Sequence, residues 1–172
     1  VAFTPIGTLT PYGAPVLRLQ VITNSITTTE NDSVKLTTGF IALGTAAALV
    51  FGHVTSLVSS QGVGLGSTGI AGAAFGSFAG AYLTASNNQT VAQVKAACNI
   101  SKETLYTVSA TAALGTTTGS NLAGYKINLS TEKTMNEAST LATTLQYNTW
   151  GVDPYNTAQL IVNVYQSQVY GV

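Results

Sequence analysis

Tyr106-Thr107-Val108-Ser109-Ala110-Thr111-Ala112 places an apolar residue at every even position and a hydroxyl at every odd one. A repeat of two is the period of a strand with one buried face, because successive side chains leave a strand on opposite sides. A polar loop bounded by glycine, Gly115 to Asn121, comes next, and Ala123, Tyr125, Ile127 and Leu129 resume the alternation. The spacing predicts a hairpin. Nearer the N-terminus, Leu17, Leu19 and Val21 alternate with Arg18, Gln20 and Ile22, which reads as a half-buried strand. After a polar turn at Thr27 to Ser33, Val34, Leu36, Phe40 and Ala42 keep period two. Leu160, Val162 and Val164 alternate with Asn163 and Gln166, and the last strand is expected to end at Val169 and Tyr170. Short strands rich in Thr, Val and Tyr, separated by turns, predict a mainly β fold of the sandwich type. One short helix is expected where Val91, Val94 and Cys98 come after the capping residues Asn87 and Asn88. Met135, Ala138, Leu141, Ala142 and Leu145 also have helical spacing, but Thr140, Thr143 and Thr144 favour strand, so that run stays open.

The chain has 172 residues, enough for one domain with a core, and no charged or Pro-rich linker divides its body. Six basic residues balance six acidic ones, and charged residues are 7% of the chain, against roughly 25% in ordinary soluble proteins. Nucleic-acid binding therefore has no electrostatic basis, and an acidic small-molecule substrate would meet no cationic cleft. Thr and Ser make up roughly a quarter of the chain and supply its polarity without charge. Near-zero net charge removes colloidal repulsion, so such a surface suits a protein that associates with itself. A single cysteine, Cys98, leaves no intrachain disulfide. The opening Val1-Ala2-Phe3-Thr4-Pro5, with no Met and no basic leader, reads as the mature end left by a signal peptidase, which places the protein outside the cell.

No Lys, Arg, Asp or Glu occurs between Lys35 and Lys95. Ile41 to Val58 approaches the length of a membrane span, and Gly72, Gly76 and Gly80 have the small-residue spacing of packed membrane helices. A membrane-embedded helical hairpin at about 41–85 is therefore an alternative reading. His53, Thr55, Ser56, Ser59 and Ser60 stand against it, as does the lack of flanking basic or aromatic anchors.

Motifs for chemistry are weak. Gly64-Leu65-Gly66-Ser67-Thr68-Gly69 matches the dinucleotide fingerprint, but no acid occurs about 20 residues on to hold a ribose. His53 is the only histidine; it reads as a hydrogen-bonded core residue rather than a metal ligand or a catalytic base. Cys98, between Lys95 and Lys102 in sequence, reads as a buried, inert thiol. Glu132 and Glu137 do not share a helix face and read as solvated. No catalytic, cofactor-binding or metal residue is assigned, and the chain reads as a non-enzyme that takes no small-molecule substrate. Four N-x-S/T sequons, at Asn31, Asn88, Asn99 and Asn128, are the candidate N-glycan sites.

The first ten residues stand apart. Val1, Phe3, Pro5, Gly7 and Leu9 alternate with a face that carries Thr4, Thr8 and Thr10, and Pro11, Gly13 and Pro15 punctuate the chain directly after them. Residues 1–13 read as a tail and linker, and 14–172 as the head. With its alternating tail Val1 to Thr10, its Thr/Ser-rich and charge-poor body and its scattered sequons, the chain resembles the archaeal thread pilins of thermoacidophiles. Secondly it is similar to archaeal bundling pilins of the TasA-like kind. The resemblance implies an immunoglobulin-like or pilin-like β-sandwich completed by the N-terminal strand of a neighbouring subunit. It implies a glycosylated extracellular filament of identical subunits, assembled head to tail for adhesion or biofilm formation. Val1, Phe3, Pro5, Gly7 and Leu9 would form the donor strand, Phe3 and Leu9 as main anchors and Gly7 where the groove is narrow. A secreted carbohydrate-binding β-sandwich and a viral coat protein fit much of the same sequence.

Overall fold

A computed structural model of the chain describes residues 2–11, 13–22, 28–46, 48–58, 95–111, 122–137 and 145–169. The described residues are all-β and form two sheets packed together, a β-sandwich. The strands are β1 (Thr4–Thr8), β2 (Leu17–Val21), β3 (Ser33–Thr37), β4 (Phe40–Leu43), β5 (Gly52–Val58), β6 (Lys95–Asn99), β7 (Thr104–Ala110), β8 (Lys126–Thr131), β9 (Thr134–Asn136), β10 (Tyr147–Asp153) and β11 (Asn156–Val164).

The first sheet runs β1-β7-β11-β10-β8-β9, and β9 returns to pair with β7. β11 takes one edge of β7 along Ser109 to Tyr106. The other edge is shared: β1 covers Thr104 to Thr107, and β9 covers Ser109 and Ala110. Five strands thus form a nearly closed ring, and β1 fills the gap that β9 does not reach. Inside lie Tyr106, Val108, Ile127, Leu129, Met135, Tyr147, Leu160 and Val162, with Phe3 among them. Along 160–164, Leu160, Val162 and Val164 are buried as the sequence predicts, but Asn163 between them is buried too, and Ile161 is half-buried.

The second sheet runs β2-β6-β5-β3-β4, and a bridge from Ile22 to Ile41 draws its two ends together. Its own core contains Ile22, Val34, Ile41, Phe51, Val54, Ala96 and Cys98. Period two sends Val54 and Cys98 into this core, and it turns their neighbours His53 and Asn99 to the first sheet.

Four expectations are corrected. Cys98 is not helical: Lys95–Asn99 is a central strand between β2 and β5, where cross-strand burial of Ala96 and Cys98 overrides helical spacing. β7 and β8 do not pair as a hairpin; β9 lies between them in the sheet. β2 is not a half-buried alternating strand: Leu17 to Leu19 are all exposed, and Gln20 and Val21 are both half-buried. Ile22 is fully buried, while Leu17 and Leu19 are 59% and 54% exposed. Arg18 is exposed as well, though it lies opposite Cys98 and its guanidinium reaches over the Phe51 ring, 5.9 Å from the centroid. In β4 it is Ile41, not Phe40 or Ala42, that shares the inner face with Leu36 and is fully buried. The cause is the two-residue turn at Thr38 and Gly39, both at positive φ (50° and 85°), which fixes that register.

The stretch 41–58 is not a membrane helix, because β4 and β5 occupy it; among the described residues no helix is long and apolar enough to cross a membrane. The Gly64–Gly69 fingerprint, Gly72, Gly76, Gly80 and the loop 115–121 lie outside the described residues.

Candidate functional site: the seat of the first strand

β1 is an edge strand. It pairs antiparallel with β7, Thr4 opposite Thr107 and Thr8 opposite Thr104, with a bulge at Ile6 between Pro5 and Gly7. Proline lacks an N–H and a bulge breaks the ladder, so both belong at an edge. Burial does not follow the alternation of the tail: of the described odd positions only Phe3 is buried, and Pro5, Gly7 and Leu9 are exposed. Nothing lies within 4 Å of where a Cβ on Gly7 would be. Val1 lies outside the described residues. Within its own chain, then, the tail is the edge strand of the first sheet and has one apolar anchor among its described residues.

That anchor sits in an aromatic seat. Phe3 stacks on Tyr147 (5.1 Å, 20° between planes), meets Tyr106 edge-on (6.0 Å, 83°) and lies 4.6 Å from the His53 ring. Its backbone N–H donates to the Asn31 carbonyl at 3.2 Å. Asn31 holds this position with a left-handed φ of 68°, which asparagine tolerates better than most residues, and its own N–H is tied to the Val54 carbonyl.

The seat is polar beneath its rings. Tyr147 Oη meets Ser33 Oγ at 2.8 Å and His53 Nε2 at 3.0 Å. Asn99 Nδ2 donates to Thr104 Oγ1 at 2.9 Å and to Tyr106 Oη at 3.0 Å. These bonds join β3, β5 and β6 of one sheet to β7 and β10 of the other, so the network that fixes the two sheets also builds the seat. His53 Nδ1 is buried without a hydrogen-bond partner. Burial lowers the His53 pKa to about 3, so the ring is neutral. Burial raises the phenols of Tyr106 and Tyr147 above their ordinary range.

Beside β1 a groove of about 390 Å³ runs between the edges of the two sheets. Pro5, Gly7 and Thr8 line one wall, Pro15 and Leu17 the other, and Asn99 lies beneath. Leu17 is the cross-strand neighbour of Asn99, which faces the first sheet. Leu17 and Leu19 therefore continue the inter-sheet face beyond β1, where no described strand of the first sheet covers them.

The sequons separate by burial. Asn99 is 4% exposed and its amide nitrogen is used twice inside; Asn128 is 3% exposed, and its Oδ1 accepts from the Gln146 N–H. Neither leaves room for a glycan in this fold. Asn31 is half-buried in its turn, and Asn88 lies outside the described residues. Cys98 is fully buried and its thiol is pushed up to about 12 by burial, as expected of an inert thiol. Among the described residues no three His, Cys, Asp or Glu side chains are grouped to hold a metal ion. The sequence marks Phe3 and His53 but not their meeting with Tyr106 and Tyr147, because that contact joins residues up to 144 positions apart. No family model matches the chain, and no curated protein or solved structure matches it.

Proposed function

We propose that the chain is the structural subunit of an extracellular filament in which residues 1–10 of one subunit occupy the β7 edge and the aromatic seat of the next. The observation that carries this reading is Phe3: a single large anchor on an edge strand, in a seat assembled from both sheets. Without β1, the backbone of β7 along Thr104 to Thr107 and the rings around Phe3 would be open, which is an unstable edge. Filling that edge with the equivalent strand of a second copy reproduces the same contacts, so exchange costs little beyond the geometry of the linker. Donor and acceptor are different surfaces. The contact is heterologous and propagates head to tail among identical subunits. The uncovered Leu17 and Leu19 beside the seat give a neighbouring body an apolar surface to pack on.

The role needs no catalysis, cofactor, nucleic acid or small-molecule substrate. The hydroxyl-rich, nearly charge-free composition fits a polymer surface, and an N-linked glycan at Asn31 would stand next to the strand junction. The test is removal of residues 1–10. Electron microscopy of the truncated chain is expected to show no filaments, and a synthetic peptide of residues 1–10 is expected to raise its melting temperature. Ordinary filaments from the truncated chain would overturn the proposal.

A further inference from the structure

The connection from β1 to β2, residues 9–16, is folded back on the turn that joins β6 to β7. At its start the Leu9 N–H donates to the Glu103 carbonyl at 2.8 Å, and at its end the Val16 carbonyl accepts from the Ile100 N–H at 2.8 Å. Between these ties the Gly13 N–H donates to the Thr10 carbonyl at 3.0 Å. That bond closes a turn with Pro11 at its second position, where a fixed φ suits it. Two hydroxyls complete a clasp. Thr8 Oγ1 donates to the Thr10 carbonyl at 2.7 Å, and Thr10 Oγ1 donates to Glu103 Oε2 at 2.9 Å. The turn that carries Glu103 is itself shaped from the seat: the Glu103 N–H donates to Ser101 Oγ, and the Ser101 N–H donates to Asn99 Oδ1.

Gly13 is fitted into this clasp. A Cβ there would lie 2.7 Å from Glu103 Oε2 and 3.0 Å from both Thr10 Oγ1 and Thr8 Cβ. The φ of Gly13 is not left-handed, so space rather than backbone conformation opposes a side chain. To admit one, the Glu103 carboxylate must leave Thr10. In an opened connection those neighbours are gone, and alanine is as acceptable as glycine.

The tail meets the same β7 edge and the same rings whether the seat is its own or a second copy's, so what distinguishes the two arrangements within a chain is the path of the connection. Bent on Glu103, residues 9–16 return the tail to its own body. Drawn out, the same residues reach about 26–29 Å, and Pro15 biases Ala14 to extended conformations. Both hydroxyl bonds of the clasp are exposed, so it can open while the two cores stay packed. We propose that the Thr10–Gly13 turn and Glu103 form a latch that holds the chain in its self-filled form, and that opening this latch, rather than unfolding the body, releases the tail to another copy. The inference rests on the strand-exchange reading above, but the two are separable by experiment.

The probe is a fluorescent synthetic peptide of residues 1–10, which can enter the seat only after the tail has left it. Its uptake by the full chain at pH 7 is followed by anisotropy. Gly13→Ala is expected to take up the peptide at least about fivefold faster than the wild-type chain. Thr10→Val, which removes the hydroxyl held by Glu103, should show a smaller gain in the same direction. Val34→Ala, in the core of the second sheet and no part of the clasp, should lower the melting temperature without a matching gain in uptake. Thr4→Cys/Thr107→Cys, a cross-strand pair joined by a disulfide, should take up no peptide until reduced. Unchanged or absent uptake in Gly13→Ala would overturn the latch. So would uptake by the oxidised cysteine pair, or equal acceleration by Val34→Ala, which would mean release by global unfolding. Micrographs report separately on polymerisation. Wild-type filaments together with an unaltered uptake rate in Gly13→Ala would sink the latch alone, whereas accelerated uptake by a chain that forms no filaments would uphold the latch and sink the filament.

Discussion

His53 makes the stability of this protein depend on pH in a definite direction. Its ring is fully buried between Phe3, Tyr106 and Tyr147, with one nitrogen on Tyr147 Oη and the other unpartnered, and burial lowers its pKa from 6.5 to about 3. A depressed histidine pKa means that the folded state binds fewer protons than the unfolded state over that interval. Stability is then fully present above pH 6.5 and falls as the pH drops, until about pH 3. The shift of about 3.5 units corresponds to about 5 kcal/mol over the whole interval. Between pH 7 and pH 5 the loss is about 2 kcal/mol, and between pH 7 and pH 4 about 3 kcal/mol. The measurement is guanidinium unfolding of the wild-type chain and of His53→Gln at pH 7, 5 and 4. Gln still reaches Tyr147 and does not titrate. Asp32, whose pKa is raised chiefly by burial, acts in the opposite sense, its contribution being lost as the pH rises through its folded pKa. It is present in both chains and cancels in their difference. Parallel pH profiles for the two chains would refute the reasoning.

Phe3→Ala should cost about 3–5 kcal/mol, because it empties a seat lined by three rings; chemical denaturation at pH 7 reads this directly. Tyr147→Phe leaves Ser33 Oγ and His53 Nε2 without their shared partner and should cost about 1–3 kcal/mol in the same assay. A Cβ on Gly52 would lie 2.5 Å from the Asn99 carbonyl oxygen, so Gly52→Ala should lower the melting temperature by forcing β5 and β6 apart, at about 1–3 kcal/mol. Cys98 should resist a thiol reagent at pH 8 in the folded chain and react at once in denaturant. Peptide mapping of native material should find Asn99 and Asn128 without glycans, and Asn31 modified if the chain is exported through a glycosylating pathway.

Much of the first sheet was legible in one dimension. The apolar positions at 106–108 and 160–164 name two strands and the core-facing side of each, but Thr107 and Asn163 on the other side are buried as well, which the alternation does not report. His53 and Cys98 were legible as buried core residues, because each stands in an apolar run. Elsewhere local pattern misled where a neighbouring strand set the register. β2 leaves Leu17 and Leu19 uncovered because no described strand of the first sheet lies over them, and no property of residues 17–21 reports that. Cys98 continues the helical spacing of Val91 and Val94, yet it lies on a strand between two others, where burial outweighs propensity. The sequence by itself determined the β class, the scarcity of charge and the presence of a distinct alternating tail, all of which are local or compositional. Only the tertiary structure decided that Phe3 is the one anchor among the tail's described residues, that the seat belongs to both sheets and that Trp150 is turned out on a bulge. Each of those depends on contacts between residues far apart in the chain, and contacts of that kind leave no period to read.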